Sequence, residues 1–311
     1  MIRIAITGGA GYLGSVLLPA LQSFRGRIDI LDIRPPKVPL PSRCRYLPFD
    51  LSDPSLIKEA IPDYDFIVHL AGLVGFPACA KSPELAVKNN LTSTEHLMRF
   101  KRKDTPLLLA STVNNYGGLN ALVDERTPVG GASIYSETKI QAERRVMDCP
   151  RSIVFRFSSS FGVSPSMRDD LLVHDFVWRA VRKERLSLYE ADTYRQFIHV
   201  EDMVASLLFA LNHPAKMAGE IFNVGSSELE LTKKELARAI QEFIPLAFDC
   251  DHSQSDPEKR HFRVSFKKIE SVGFKAQASL AKTLPQLVSY YVEKARELAG
   301  ISAPSPAAHA P

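Results

Sequence analysis

Cysteine is scarce. The 311 residues include four, Cys44, Cys79, Cys149 and Cys250, none in C-x-x-C spacing and none beside a histidine cluster. That excludes a disulfide framework and the common zinc sites; no metal is expected, and the thiols should be reduced and mostly buried in a cytoplasmic protein. Long hydrophobic runs are also missing. No stretch approaches the ~18 apolar residues of a membrane helix, and the apolar residues 2–6 are too few for a secretory signal and run into glycines. Nor does charge of one sign dominate: 39 Lys+Arg against 35 Asp+Glu leave +4, with no block of like charges. Neither nucleic acid nor a membrane is expected as a partner, whereas an anionic small molecule is compatible with the mild positive balance.

What remains is the composition of an ordinary globular protein, 45% hydrophobic and 24% charged, with a core large enough to need no staples. Short apolar runs at 3–7, 28–32, 46–49, 66–70, 106–110 and 152–157 read as strands. Between them, residues 12–23, 54–61, 83–101 and 135–149 have helical spacing, with Asp53 and Pro54 placed to start the second of these. A proline-rich loop covers 35–41. Strands alternating with helices predict the α/β class, a doubly wound parallel Rossmann sheet. The second half is less regular. Helices are expected at 169–183, 202–211 and 232–243 (a Thr232/Glu235 capping box), strands at 197–200 and 220–224, and mixed periods at 264–272 and 283–298. This suggests a smaller, interleaved C-terminal α/β lobe. The expected division is a dinucleotide domain at 1–160, a substrate lobe mainly at 161–300 with segments returning to the first domain, and a disordered tail at 301–311.

The turn after the first strand reads Thr7-Gly8-Gly9-Ala10-Gly11-Tyr12-Leu13-Gly14, which satisfies G-x-G-x-x-G and G-x-x-G-x-x-G. Glycines there permit a tight turn and close approach of a pyrophosphate to the backbone, and the helix start offers free N–H groups. Gly8, Gly11, Tyr12, Leu13 and Gly14 are therefore candidate cofactor contacts. Asp32 ends the second strand, 18 positions after Gly14. A carboxylate there accepts ribose hydroxyls and repels a 2′-phosphate, which favours NAD. Arg34, with Arg3, can accommodate that phosphate and keeps NADP open. Asp50, with Leu51, follows the third strand and either accepts the adenine amino group or only ends the strand. Leu70, Ala71 and Gly72 follow the fourth, small enough at Ala71 and Gly72 for a cofactor to lie on the backbone; His69 reads as structural.

Tyr135-Ser136-Glu137-Thr138-Lys139 is Y-x-x-x-K, and i, i+4 residues share a helix face. An ammonium beside the phenol, together with a cationic nicotinamide, would lower the phenol's pKa toward neutrality, a change of roughly 3 units. The fifth strand runs into Ser111-Thr112, where a hydroxyl can hold a reacting oxygen near Tyr135.

In this order, the motifs resemble the extended short-chain dehydrogenase/reductases, specifically the NDP-sugar epimerase/dehydratase branch typified by UDP-glucose 4-epimerase. Further segments carry the likeness: Asn90-x-x-x-Thr94, Ser111 to Gly117, Arg156 to Gly162, Arg195 to Asp202, Phe222 to Gly225 and Arg260 to Lys267. The resemblance implies Thr112, Tyr135 and Lys139 as the catalytic set, with Tyr135 and Lys139 also on the nicotinamide ribose. It implies Arg195 and Arg260 on the phosphates of a nucleotide sugar, Asp202 as a helix cap and Asn90 inside the fold. Ser159 and His174 stand where many members have substrate-binding asparagines. It also implies a homodimer through the helices at 83–101 and 135–149.

Sugar 4,6-dehydratases of this family carry an Asp-Glu pair just after the catalytic threonine, and UDP-glucuronate decarboxylases a Glu. Here Val113 and Asn114 stand there, and neither transfers a proton at neutral pH. Hydride chemistry without elimination reads as an NAD-dependent nucleotide-sugar 4-epimerase. The alternatives are an NAD(P)-dependent reductase or dehydrogenase of a keto-sugar nucleotide, and a non-catalytic cofactor-binding scaffold.

Overall fold

A computed structural model describes residues 2–258 and 260–300; the expected tail at 301–311 lies outside the described residues. Seven strands form the central sheet: β1 Arg3–Thr7, β2 Arg27–Asp32, β3 Cys44–Pro48, β4 Phe66–His69, β5 Leu107–Thr112, β6 Ile153–Phe157 and β7 Glu220–Val224. Their order is 3-2-1-4-5-6-7 and every pairing is parallel. This is the doubly wound Rossmann architecture the alternation predicts. The order reverses between β1 and β4, so a crevice opens at the carboxyl ends of those strands, where ligands of such sheets bind.

Strand residues alternate between two buried faces. Ile4, Ile6, Ile28, Ile30 and Leu108 pack with Leu17 and Leu18 of α1 (Tyr12–Ala20) and with Val204 and Leu207 of a later helix. Ala5, Leu31, Ile67, Leu107, Leu109 and Val154 pack on the other side. There they meet Ile57 of α2 (Pro54–Ala60), Leu97 of α3 (Ser93–Phe100) and Ala142 and Val146 of α4 (Ile134–Met147). A separate core joins Val173, Phe176 and Val177 of α5 (Leu172–Val181), Leu236 and Ile240 of α7 (Lys233–Gln241), and Leu284, Leu287 and Tyr291 of α8 (Leu280–Leu298). Between α5 and α7, α6 (Val200–Asn212) and β7 return to the main sheet.

Local chemistry sets the element ends. Asp53 accepts from the Ser55 N–H at the start of α2, with Pro54 in the first turn. The Thr232/Glu235 capping box closes the start of α7. One expectation gains a detail and one is corrected. The helix expected over 83–101 runs from Pro83 to Phe100 but includes a π turn, Val87–Thr92, ahead of α3. The wide turn, a recurrent device at functional sites, holds buried Asn90. Its amide oxygen accepts from Leu73 N at 2.8 Å, and its nitrogen donates to Leu73 O at 3.0 Å and Thr138 Oγ1 at 3.2 Å. Asp202 is not a helix cap. That role falls to His199, whose ring accepts from the Glu201 N–H, while the Asp202 carboxylate accepts from Gln277 N and Ala278 N at 2.9 and 3.0 Å.

One buried network ties the sheet to α4. Arg156 on β6 forks onto Glu143, with contacts of 2.6 to 3.1 Å. The same carboxylate accepts from Ser111 Oγ at 2.6 Å and Asn115 Nδ2 at 2.7 Å. Arg156 also donates to the Tyr116 hydroxyl at 3.0 Å, which donates to Asn223 Oδ1 at 2.8 Å. Both ionic side chains are 4% exposed. Removing one partner leaves an uncompensated buried charge, so Glu143→Ala is expected to cost roughly 3–5 kcal/mol in urea unfolding. A loss under about 1 kcal/mol, the scale of an exposed pair, would show that the network carries no structural weight.

Candidate active site

The glycine-rich turn lies at the mouth of the crevice. Gly8 has φ +71°, and a Cβ there would sit 2.5 Å from Ala71 N, so the loop can pass against the end of β4 only without a side chain. A Cβ on Gly14 would lie 2.5 Å from Gly9 Cα, which fixes how closely α1 meets the turn. Gly11 stands at the N-cap of α1 with no side-chain cap, and the first turn, from Tyr12 to Gly14, has no acidic residue. Its N–H groups are free by construction for an anion. The Tyr12 hydroxyl donates to Gly162 O at 2.8 Å, so its side chain joins the loop to the second half of the chain.

Asp32 is nearly buried and accepts from Ala10 N and Arg34 N, each at 3.0 Å, on different oxygens. Each oxygen keeps lone pairs for a ribose hydroxyl. The Arg34 residue is exposed. Asp50 is exposed, and hydrogen bonds from Ser52 hold its carboxyl below the usual range; Leu51 is buried. Leu70 and Ala71 are half-buried and Gly72 is exposed at the exit of β4. His69 bridges Thr7 Oγ1 (2.7 Å) and Thr94 Oγ1 (3.0 Å), and burial lowers its pKa to about 3. It is therefore a neutral structural link. These donors and acceptors fit a dinucleotide across β1, β2 and β4.

Thr112 ends β5 beside Tyr135 of α4, and Lys139, one helical turn further along α4, stands by Gly72 after β4. A Cβ on Gly72 would lie 3.9 Å from Lys139 Nζ, placing the ammonium beside the glycine. Thr112 is close enough to Tyr135 to favour its phenolate through a hydrogen bond. A capping box, Ser133 with Ser136, starts α4 one residue before Tyr135's turn. Burial pushes the Tyr135 phenol upward, opposite to the direction expected from the Tyr/Lys spacing, and the cation opposing that push is Arg168. Burial lowers Lys139 to about 8, with Glu143 pulling the other way.

The other candidates are placed differently. His174 is fully buried; its Nε2 accepts from Gly162 N at 3.0 Å and its Nδ1 lies 2.7 Å from Arg168 O. Both ring nitrogens are used by the backbone, so its expected substrate contact is corrected to a latch on the loop between Gly162 and Arg168. Ser159 is half-buried on a short strand paired with Phe197. Arg195 and Arg260 come together on Asp256: Arg195 donates at 2.8 Å, and Arg260 contacts both oxygens at 2.7 and 3.1 Å. Burial pushes the Asp256 carboxyl up, but the two guanidiniums outweigh it and hold it at about 2.

Two residues escaped the sequence reading. Arg168 donates to Val74 O at 3.2 Å beside Tyr135. Glu258, 3% exposed, accepts from Asn114 Nδ2 at 3.1 Å and Ser133 Oγ at 2.9 Å. Glu258 stands two positions before Arg260, but no local pattern marks it as part of a site 144 positions from Asn114.

Fold and site together define a Rossmann dinucleotide-binding protein with a Tyr-x-x-x-Lys pair. A family model described as the NAD dependent epimerase/dehydratase family matches residues 4–225. The chain is 27% identical to UDP-glucuronic acid decarboxylase 2 of Arabidopsis thaliana, covering 94% of this chain and 69% of that protein. Among solved structures, the UDP-glucuronic acid 4-epimerase of Bacillus cereus, in complex with UDP-glucuronic acid and NAD, has a TM-score of 0.82 at 20% identity, covering 94% of this chain and 100% of that one. The dTDP-glucose 4,6-dehydratase DesIV of Streptomyces venezuelae, with NAD bound, has a TM-score of 0.80 at 22% identity, covering 96% and 98%. The chain belongs to the NAD dependent epimerase/dehydratase family, and NAD is that family's cofactor. Among the described residues, no helix is long and apolar enough to cross a membrane.

The Lys139 environment has a measurable consequence. Its pKa is about 8 folded against 10.5 as the ordinary value. Between these the unfolded chain holds the proton and the folded chain does not, so this group makes stability rise with pH across that window. Lys139→Met is expected to abolish the rise and to raise the thermal midpoint below the window. Parallel melting curves of both proteins from about pH 7 to about pH 10 read it; identical slopes would contradict the burial of this ammonium.

Proposed function

We propose that the protein is an NAD-dependent nucleotide-sugar enzyme that works through a transient ketone on the sugar ring. The observation that carries this reading is Thr112 beside Tyr135, with Lys139 one helical turn on and next to Gly72, at a crevice whose glycine-rich turn fits a dinucleotide. Bound NAD supplies the hydride acceptor and then the donor. Tyr135 takes the proton of a sugar hydroxyl, Thr112 donates a hydrogen bond to that oxygen, and Lys139 keeps positive charge near the phenolate. Asp32 holds the adenine ribose, while Gly8, Gly11, Tyr12, Leu13 and Gly14 provide backbone to the pyrophosphate. The lobe of α5, α7 and α8 is assigned to the nucleotide sugar, with Arg195 and Arg260 toward its phosphates.

The net reaction read from Val113 and Asn114 is 4-epimerisation, because neither residue offers a proton. A second reading, decarboxylation of a nucleotide-linked hexuronate, is favoured by the decarboxylase relative matched along 94% of the chain. Both readings make UDP-glucuronic acid the first substrate to test.

A cofactor regenerated in each cycle stays bound. Denatured, purified protein is expected to release about one NAD(H) per chain, read by absorbance and mass. Tyr135→Phe should keep that cofactor and lose turnover by roughly 10²–10⁴-fold. Empty protein that takes up NADPH would favour the reductase reading instead. The assembly is proposed to be a homodimer through α3 and α4; the mass of a single chain in solution at micromolar concentration would contradict it.

A further inference from the structure

Asn114 is the position where a proton-transferring carboxylate is missing from the loop after Thr112. The structure brings a different carboxylate to that place. One Glu258 oxygen accepts from Asn114 Nδ2 at 3.1 Å and the other from Ser133 Oγ at 2.9 Å. Asn114 in turn gives its backbone N–H to Thr112 Oγ1 at 3.1 Å. Ser133 caps α4 two positions before Tyr135. Glu258 is thus clamped between the two segments that carry the candidate catalytic hydroxyls, and its 3% exposure matches the 7% of Thr112 and 5% of Tyr135. Arg260 lies 3.4 Å away but is committed to Asp256 by two shorter contacts.

We propose that Glu258 is the catalytic acid that delivers a proton to the sugar carbon next to the transient ketone, in place of the carboxylate absent at Asn114. The inference rests on the keto-intermediate reading and places the protein on its decarboxylating branch, with a nucleotide-linked hexuronate as substrate. With C4 at the ketone level, to be returned to the alcohol by the same hydride at the end of the cycle, the C5–carboxylate bond breaks. Carbon dioxide leaves, and the bonding electron pair passes into the C4–C5 enolate. Glu258 gives its proton to C5 as the enolate returns to the ketone, and the carboxylate left behind is reprotonated from solvent. Burial holds the Glu258 carboxyl above the ordinary glutamate range, with Arg260 opposing, which suits an acid.

The test is incubation of UDP-glucuronic acid with the purified holoenzyme in deuterium oxide. NMR and mass spectrometry follow the sugar, and near-ultraviolet absorbance follows the reduced nicotinamide. The wild-type protein is expected to yield a pentose product carrying one solvent deuterium at C5. Glu258→Gln should cut deuterium incorporation, relative to the reduced nicotinamide it forms, by roughly 10²-fold. Adding Asn114→Glu to that variant should restore labelling, and an unchanged circular dichroism melt separates the effect from unfolding. A wild-type product that keeps its carboxylate and its C5 hydrogen, or a Glu258→Gln protein that labels like wild type, overturns the proposal while leaving the keto reading intact. Absence of both reduced nicotinamide and any altered sugar on substrate addition overturns both.

Discussion

The buried pair of Glu143 and Arg156 is the constraint on which the site depends. Tyr135, Lys139 and Glu143 are spaced i, i+4 and i+8 along α4, so they share one face. Fixing Glu143 fixes the rotation of that face. The same carboxylate takes the Ser111 hydroxyl, next to Thr112. One anion therefore sets the relative positions of the helix that brings the Tyr/Lys pair and the strand end that brings the threonine. A buried ion pair is weak evidence of net stability, because desolvation offsets much of the attraction. Its value here is geometric: Arg156 forks onto two oxygens, and Ser111 and Asn115 use the remaining lone pairs. An apolar substitute of equal volume would fill the space but would leave the rotation of α4 to packing alone.

Burial also governs the chemistry around that frame. It raises the Tyr135 phenol and the Glu258 carboxyl and lowers Lys139 and His69, each toward its uncharged form. A phenolate base does not form in such surroundings by proximity to one ammonium. On the proposed reading, the positive charge of an oxidised nicotinamide would act on Tyr135 together with Arg168, the cation already opposing burial there. On that reading the basicity of Tyr135 would be coupled to the presence of oxidised cofactor, which would restrict deprotonation of a sugar hydroxyl to the state in which a hydride acceptor is in place.

The sheet was legible because parallel strands buried on both faces read as short apolar runs, and the run-and-helix alternation leaves few topologies. Glycines at 8, 11 and 14, Asp32, and the Tyr135/Lys139 spacing were legible for a similar reason: each motif is local and its chemistry follows from its spacing. What escaped is what tertiary structure decides. The π turn at Asn90 answers to the Leu73 backbone, 17 positions away, and has no periodic signature of its own. The resemblance sets His174 at a substrate-binding position, and its backbone partners, Gly162 N and Arg168 O, leave no trace in residue type. The resemblance implies Asp202 as a helix cap, yet its carboxylate serves the 277–278 segment.

Arg195 and Arg260 show how such long-range decisions shape ligand binding. Two guanidiniums meet on the single carboxylate of Asp256, and Lys233, 3% exposed and lowered to about 8 by burial and then by Arg195, lies in the same group. Asp256 cannot relieve the arrangement by taking a proton at neutral pH, since its carboxyl is held at about 2. On the proposed reading, an arriving diphosphate would therefore meet cations that are already oriented by an anion and do not need to be gathered. Orientation in advance lowers the entropic cost of engaging long side chains, while the shared carboxylate weakens the net field on the phosphates. The two guanidiniums are not equally placed for this: Arg195 is 4% exposed and also donates to Tyr194 O and Arg260 O, whereas Arg260 is 25% exposed, so on the proposed reading Arg260 meets a phosphate directly while Arg195 and Asp256 hold Arg260 in place.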